Sequence, residues 1–478
     1  MTWVTGSVDP GHENTAAAIA VRVRSGALAP VDAVSDALNR IAERDPVLNA
    51  FVSVRADEAL AEATALATRA DLVKLPLAGV PVAVKDKVAL VGAPLRDGSA
   101  ATSVEPSATD HPVVARLRAA GAVPVGLTAV SELCVWGTTD SPGFVTRNPW
   151  NTGLSAGGSS GGAAAAVAAG MVPISHGTDC LGSIRIPAAA CGLVGLKPGR
   201  GLVPSEIGAN SMHSMAENGP LTTTVADAAL MLSVLAGRPE LAEIGDPGRA
   251  RIAVVLGHPN PMVRTDAHWA CGVEETARIL DAAGHLTTAA KATQVYSATS
   301  VPDLVRWFAG VAADAETLDR AMLQPRTRRH AAVGRAVNRV GLVRPGPVAR
   351  VERRLRALAE HFDVVVTPAL AHPPPAAVEW SRRSWLANAI ACMRFAPYNS
   401  LWNLVGWPAV TVPVGIHPHT RTPLAVQIAA PPGGETTVLA LAAQLEQLQP
   451  WPRLARAAPR HPGHGWHDSA ILSVQPEH

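Results

Sequence analysis

The chain of 478 residues is short of several things that mark particular classes of protein. It has five cysteines, an odd number, scattered at 134, 180, 191, 271 and 392 with no CxxC spacing. A disulfide framework and a zinc ribbon are both excluded, and reduced thiols in a cytoplasmic protein are expected. No basic run dominates, and 41 basic against 39 acidic residues leave a formal charge of +2. That lacks the electrostatic footprint of a nucleic-acid or membrane-surface protein. The longest weakly apolar run, Gly161 to Pro173, is too short for a bilayer, which needs about 20 residues. The opening MTWVTGSVDPGHE has no basic segment followed by an apolar one, which argues against a secretory signal.

What is present is ample material for a core, with 48% hydrophobic residues, much of it alanine. Glycine and proline, 40 of each, stay below the roughly 25–30% of a disordered chain. Residues 15–70 read as two helices, a first stretch TAAAIAVRVRSGALAPVDAVSDALNRIAERD broken at the Gly26–Pro30 turn and a second, ADEALAEATALATRAD, that continues the pattern. From Pro76 the pattern turns to strands. Val80 to Val84 is a β-branched run closing on Lys85-Asp86, and HPVVARLRAAGAVPVGL is a helix, a stop at Gly121 and a strand. Such alternation predicts an α/β architecture. Thr224, with Asp227 three residues on, predicts a capping box at the start of a helix running to Gly237. Residues 295–390 look largely helical, with Arg326, Arg328 and Arg329 forming a solvated basic face. The strands after His361 continue the same sheet, so no separate C-terminal domain is expected. The tail carries His461, His464 and His467 at a metal-like spacing, but Pro462 and Gly463 break any helix and predict a solvated end.

The organising stretch is Asn151 to Gly201. A glycine–serine loop, an alanine-rich segment and a second glycine-bearing loop follow one another, with Ser159 in the first loop and Ser183 in the second. A helix rises about 1.5 Å per residue, so loop–helix–loop can fold back and bring two hydroxyls together. Acyl-transfer chemistry needs a nucleophile, a proton acceptor and donors for an oxyanion. His176 is close by in sequence but has no evident acidic partner. Lysine can do the work of histidine when burial keeps it neutral. Lys85 ends an apolar strand, where a lysine ordinarily snorkels to water. Cys180 has no paired histidine and reads as a small buried side chain. Asp179 and Arg185 flank Ser183 and are expected to pair, and Ser160 to hydrogen-bond within its loop.

Taken together, Gly157-Gly158-Ser159-Ser160-Gly161-Gly162, Gly177 to Ala188 and Cys191 to Pro198 resemble the amidase signature family. The likeness extends along the chain, through Lys85-Asp86, through the block around Leu127, through Thr146 to Asn151, and through Gly219 to Gly237. The resemblance implies one α/β domain over 1–478, with a central mixed, mostly parallel β-sheet surrounded by α-helices. It implies a catalytic core at about 75–235, a variable pocket region at about 295–390, closing strands and helix at about 395–450, and a polar tail at 453–478. It further implies Lys85 as base, Ser159 as bridge and Ser183 as nucleophile. The backbone N–H groups of Cys180, Leu181, Gly182 and Ser183 would bind the oxyanion. Leu181, Trp307 and Phe308, with Trp380 and Trp385, are the candidate pocket lining. The implied substrate is a small-molecule carboxamide, with no metal, cofactor or nucleic acid, in a monomer or homodimer.

The chain departs from the family pattern at five places. Lys87 stands where Asn is usual, Leu127 and Ala129 replace Lys and Asn, Leu181 replaces Gly, and Thr223 replaces Arg. Lys87 either lies near Lys85 and depresses its pKa, or points to solvent. Leu181 either strains the loop, if a positive φ is needed, or narrows the acyl pocket. Two other functions share these signatures: the amidotransferase subunit that receives ammonia for tRNA-linked Glu or Asp, and a binding-only member that has lost catalysis.

Overall fold

The computed structural model describes residues 14–297 and 299–455; His461, His464 and His467 lie outside them. Eleven strands form one sheet: β1 Phe51–Val54, β2 Pro81–Lys85, β3 Val123–Thr128, β4 Ile174–Asp179, β5 Val194–Lys197, β6 Glu217–Thr222, β7 Arg251–Val254, β8 Leu286–Ala289, β9 Val364–Pro368, β10 Ala409–Ile416 and β11 Pro423–Ala429. Their spatial order is β1-β3-β2-β4-β6-β5-β10-β11-β9-β7-β8. β2, β3 and β4 are buried at every position, which is what helices on both faces of a sheet demand of its strands.

The sheet is mixed, and its parallel pairs fall in two groups. β3, β2 and β4 run parallel on one side, and β9, β7 and β8 on the other. The neighbours between those groups, from β4 through β6, β5, β10 and β11 to β9, are antiparallel, as is β1 on β3. Antiparallel pairing takes more of the sheet than the resemblance implied, because β10 and β11 return on a short connection rather than a helical crossover. They sit between β5 and β9, so the closing segment completes the first sheet and forms no domain of its own.

The N-terminal region holds three helices, Ala16–Arg24, Pro30–Leu48 and Ala56–Ala67, where two were expected. Asn49 turns the chain with a left-handed φ of 52°, and β1 then pairs on β3; a four-residue edge strand gives too short a pattern to announce itself. Thr224 caps Val225–Ala236 as expected, accepting from the Asp227 N–H at 3.1 Å. The capping box is only half made, however. The Asp227 carboxylate instead accepts the N–H groups of Ala16 and Ala17 and holds the first helix in place.

Two apolar cores result. The larger surrounds the catalytic-side strands and the helix Gly161–Ala168, all of whose residues are buried. That helix contains only glycine, alanine and one valine because there is no space for more. A Cβ on Gly162 would come 2.3 Å from the Ala50 carbonyl and 2.4 Å from the Ala129 nitrogen. The second core is rich in aromatics, holding Trp136, Tyr296, Trp307, Tyr398, Trp402 and Trp407. One of its walls is the pair of helices Ser300–Asp314 and Pro325–Arg339. Arg328 and Arg329 are exposed there, but Arg326 is not the solvated residue expected. It is buried, 3.2 Å from Asp140 and bonded to Asn388 and Gln324, because the first turn of the helix Pro325–Arg339 directs it inward toward a carboxylate. Among the described residues, no helix is long and apolar enough to cross a membrane.

Candidate active site

Lys85 is the last residue of β2 and is fully buried. Its Nζ lies 2.8 Å from Ser159 Oγ, 2.7 Å from Thr178 Oγ1 and 3.2 Å from the Thr178 carbonyl. The side chain does not snorkel, because β2 sits inside the sheet with β3 and β4 on either side. Burial is the main cause that lowers its pKa; the Cys134 and Cys180 thiols and Asp97 oppose the shift. A neutral amine has two N–H donors and one lone pair. All three contacts are satisfied when one of the two hydroxyls donates to nitrogen.

Ser159 is buried and follows a cis peptide bond from Gly158. Ser160 bonds beyond its own loop: its hydroxyl donates to the Thr178 carbonyl at 3.2 Å, and its N–H to the Ser183 carbonyl at 3.2 Å. That bond ties the first serine loop to the second. Ser183 is half-buried, between the end of β4 and the short helix Arg185–Cys191. The two serine loops thus meet beside the end of β2, as the loop–helix–loop reading anticipated.

The second loop is fastened by Asp179. Its Oδ1 accepts the Gly182 N–H at 2.6 Å, and its Oδ2 accepts the Ile184 N–H at 3.2 Å. Gly182 is therefore removed from the expected oxyanion donors, since its hydrogen is already given to a carboxylate. Arg185 pairs with the same carboxylate through Nε and a terminal nitrogen, both at 2.9 Å. Its remaining donors reach Gln427 Oε1, Asn403 Oδ1 and the Asn399 carbonyl. Burial would raise the Asp179 carboxyl, but the Arg185 charge and bonds outweigh it and hold that carboxyl below the usual range.

The Leu181 question is settled by its torsions. Gly182 carries the positive φ, +117°, and a Cβ there would lie 2.5 Å from Asn399 Cβ. Leu181 is not among the positive-φ residues, so the strain account is wrong. Leu181 instead packs on the aromatic core, together with Phe308 and Trp385, and Trp307 and Cys180 belong to that core. Trp307 stacks on Phe308 with centroids 5.6 Å apart and meets Trp136 edge-on at 5.9 Å. Trp380 is elsewhere, lining a separate small cavity with Gly137, Cys392 and Phe395. Leu127 and Ala129 are buried, Leu127 within the larger core, so those departures are packing.

His176 bonds the Asn218 amide oxygen at 2.8 Å, and burial pushes its pKa down to about 3. A neutral imidazole on an amide is no part of a Ser–His–Asp set. The Cys180 thiol is likewise pushed up by burial and stays protonated. Lys87 does not point to solvent: it is buried, 2.6 Å from Asp97 and 3.1 Å from Asp314. Sequence reasoning missed Thr178, whose only signal was its place beside Asp179. It also missed Asn399, Asn403 and Gln427, which the chain brings from more than 200 residues away.

Comparison with known proteins bears on the family of the chain. The amidase family model matches residues 32–439. AmiB2 of Mycobacterium tuberculosis is 38% identical over 451 residues, covering 91% of this chain and 96% of that protein. An acylamidase of Rhodococcus erythropolis is 32% identical over 474 residues, with 92% and 96% covered. The solved structure of a 6-aminohexanoate cyclic dimer hydrolase superimposes with a TM-score of 0.83 at 28% identity, over 93% of this chain and 98% of the other. A site of this geometry, on this sheet and with these relatives, makes the chain a member of the amidase signature family.

Proposed function

We propose that this amidase cleaves a carboxamide of a small molecule through an acyl-enzyme on Ser183. The observation that carries the reading is Lys85 Nζ at 2.8 Å from Ser159 Oγ, in full burial and with uncharged partners. Such an amine is held as a base.

Ser159 passes its proton to Lys85 and takes the proton of Ser183, whose oxygen attacks the substrate carbonyl. The resulting oxyanion is received by the N–H groups of Cys180, Leu181 and Ser183, since Gly182 is given to Asp179. Collapse breaks the C–N bond. The proton returns from Lys85 through Ser159 to the leaving nitrogen, which departs as an amine or ammonia. Water then repeats the relay, adding to the acyl carbon and releasing the acid with Ser183 restored. The aromatic core behind Leu181 favours apolar acyl groups. The protein acts as a monomer or homodimer in a cytoplasm that keeps its cysteines reduced.

The test is a panel of aryl, aliphatic and peptide-like amides given to the purified chain without ATP, tRNA or a second protein. Alongside it, phenylmethanesulfonyl fluoride labelling is mapped by mass spectrometry. Amine release and an adduct on Ser183 are expected. An adduct on Cys180, or turnover only when a partner and charged tRNA are supplied, would replace this reading.

A further inference from the structure

The polar partners of the Lys85 nitrogen are uncharged oxygens from Ser159 and Thr178. The carboxylate whose charge bears on it is Asp97, and Asp97 is fully engaged. Its Oδ2 accepts from Lys87 Nζ at 2.6 Å, and its Oδ1 from the Cys134 thiol at 3.4 Å. Cys134 in turn neighbours the Ser159 hydroxyl. The same Lys87 nitrogen reaches Asp314 Oδ2 at 3.1 Å, and Asp314 Oδ1 accepts the Ala209 N–H at 2.8 Å. A line of contacts therefore runs from the pocket-wall helix Ser300–Asp314 through Lys87, Asp97 and Cys134 to Ser159 and Lys85.

Of the other groups around Lys85, the two thiols and the histidine do not supply an anion. Cys134 and Cys180 are thiols raised by burial, and His176 on β4 is neutral. Asp86 is turned to the N–H groups of Arg96 and Gly98, and burial raises it to about 7.

We propose that Lys87 is a positioning residue for charge: it holds Asp97 and Asp314 as its own counter-ions, so that Asp97 does not become one for Lys85. The argument rests on the role of Lys85 as base given above. A carboxylate without a partner in a low-dielectric interior favours the protonated form of any amine it faces. Were Lys87 uncharged, Asp97, which burial raises, would in its ionised form face Lys85 with nothing to balance it, and the positive charge that disfavours an ammonium at Lys85 would be gone as well. Both changes drive Lys85 toward ammonium, which cannot take a proton from Ser159.

The experiment follows the rate at which phenylmethanesulfonyl fluoride labels Ser183 as a function of pH, which needs no knowledge of the natural substrate. In Lys87→Met the alkaline limb should move up by about one pH unit or more, with roughly tenfold slower labelling below it. In Lys87→Met/Asp97→Asn it should return toward wild type; Asn suits position 97, whose φ is +48°. Lys87→Arg should leave the limb in place. Should Lys87→Met fail to fold, Lys87→Gln, whose amide can still bond both carboxylates, carries the same expectation. A limb that does not move on loss of the charge, or one that Asp97→Asn fails to restore, overturns the proposal. Absence of any label on wild-type Ser183 would instead remove the reading of Lys85 on which it rests.

Discussion

The N–H of Gly182 lies 2.6 Å from Oδ1 of Asp179, and that contact commits one amide of the loop to a carboxylate and leaves the others for the proposed oxyanion. A carboxylate on the inner side pulls one N–H inward, and Arg185 fixes the carboxylate in turn. The loop is thereby held in place before any substrate arrives, which is the property that makes an oxyanion site effective. Removing one partner of a buried ion pair costs about 3–5 kcal/mol. Asp179→Asn and Arg185→Lys should each lower the melting temperature and reduce kcat more than they change KM. Arg185→Lys is no mild change, since lysine cannot supply the forked donors that reach Asp179, Asn399, Asn403 and Gln427. Unchanged melting with full activity in either variant would contradict this account.

Lys85→Ala and Ser183→Ala are expected to abolish amide turnover, and Ser159→Ala to come close. All three should keep the circular dichroism of the parent, because each deletes a site group and leaves the apolar cores intact. Full activity in Ser183→Ala would remove that serine as nucleophile.

The pH dependence follows from the sign of the Lys85 shift. Burial lowers its pKa from 10.5, and only the unprotonated form accepts a proton. The rate should rise through the lowered value and level off on the alkaline side, with the midpoint below 10.5. Stability follows the same direction. The folded state binds the proton less well than the unfolded chain, so this group weakens the fold as pH falls below its unfolded value. A kcat profile that falls above neutrality would contradict the role of base.

Neighbouring positions should respond in opposite ways. Leu181→Gly should widen the range of accepted acyl groups with little change in melting, because Leu181 has ordinary torsions and faces the aromatic core. Gly182→Ala should destabilise the protein by about 1–3 kcal/mol from its backbone alone, and more from the clash with Asn399 and Ile186. It should also displace Ser183 and cost activity. Acyl specificity is read from kcat/KM across the panel, and stability from thermal melts.

The parts of the site legible in the sequence were those carried by short segments. Thr178 to Arg185 places Asp179, Ser183 and Arg185 within a few residues of one another, Gly157 to Gly162 carries Ser159, and β2 presents Lys85 as the end of a buried run. The expected pairing of Asp179 with Arg185 is present. What could not be read were contacts made by long returns of the chain: Arg185 on Gln427, Lys87 on Asp314, and Arg326 on Asp140. A charged side chain looks solvated in one dimension, and only the fold supplies its distant partner. The donor role expected of Gly182 failed for a related reason. A loop rich in glycine announces close approach, but not which carboxylate will take each N–H.

The helix Gly161–Ala168, buried along its whole length behind Ser159, has a consequence for how the chain tolerates mutation. Its glycines and alanines carry no polar side chain, yet a Cβ on Gly161 or Gly162 would already meet neighbours closer than a real contact allows, at 2.4 and 2.3 Å. A change as small as Gly162→Ala puts a carbon against two backbone atoms and so moves the strand-side frame on which Lys85 and Thr178 are mounted. In a scan of all substitutions this helix would form a band as intolerant as the reacting residues themselves, for reasons of volume rather than chemistry. Sensitivity to replacement is therefore a poor guide to catalytic role in this part of the molecule, where the smallest side chains are the most constrained.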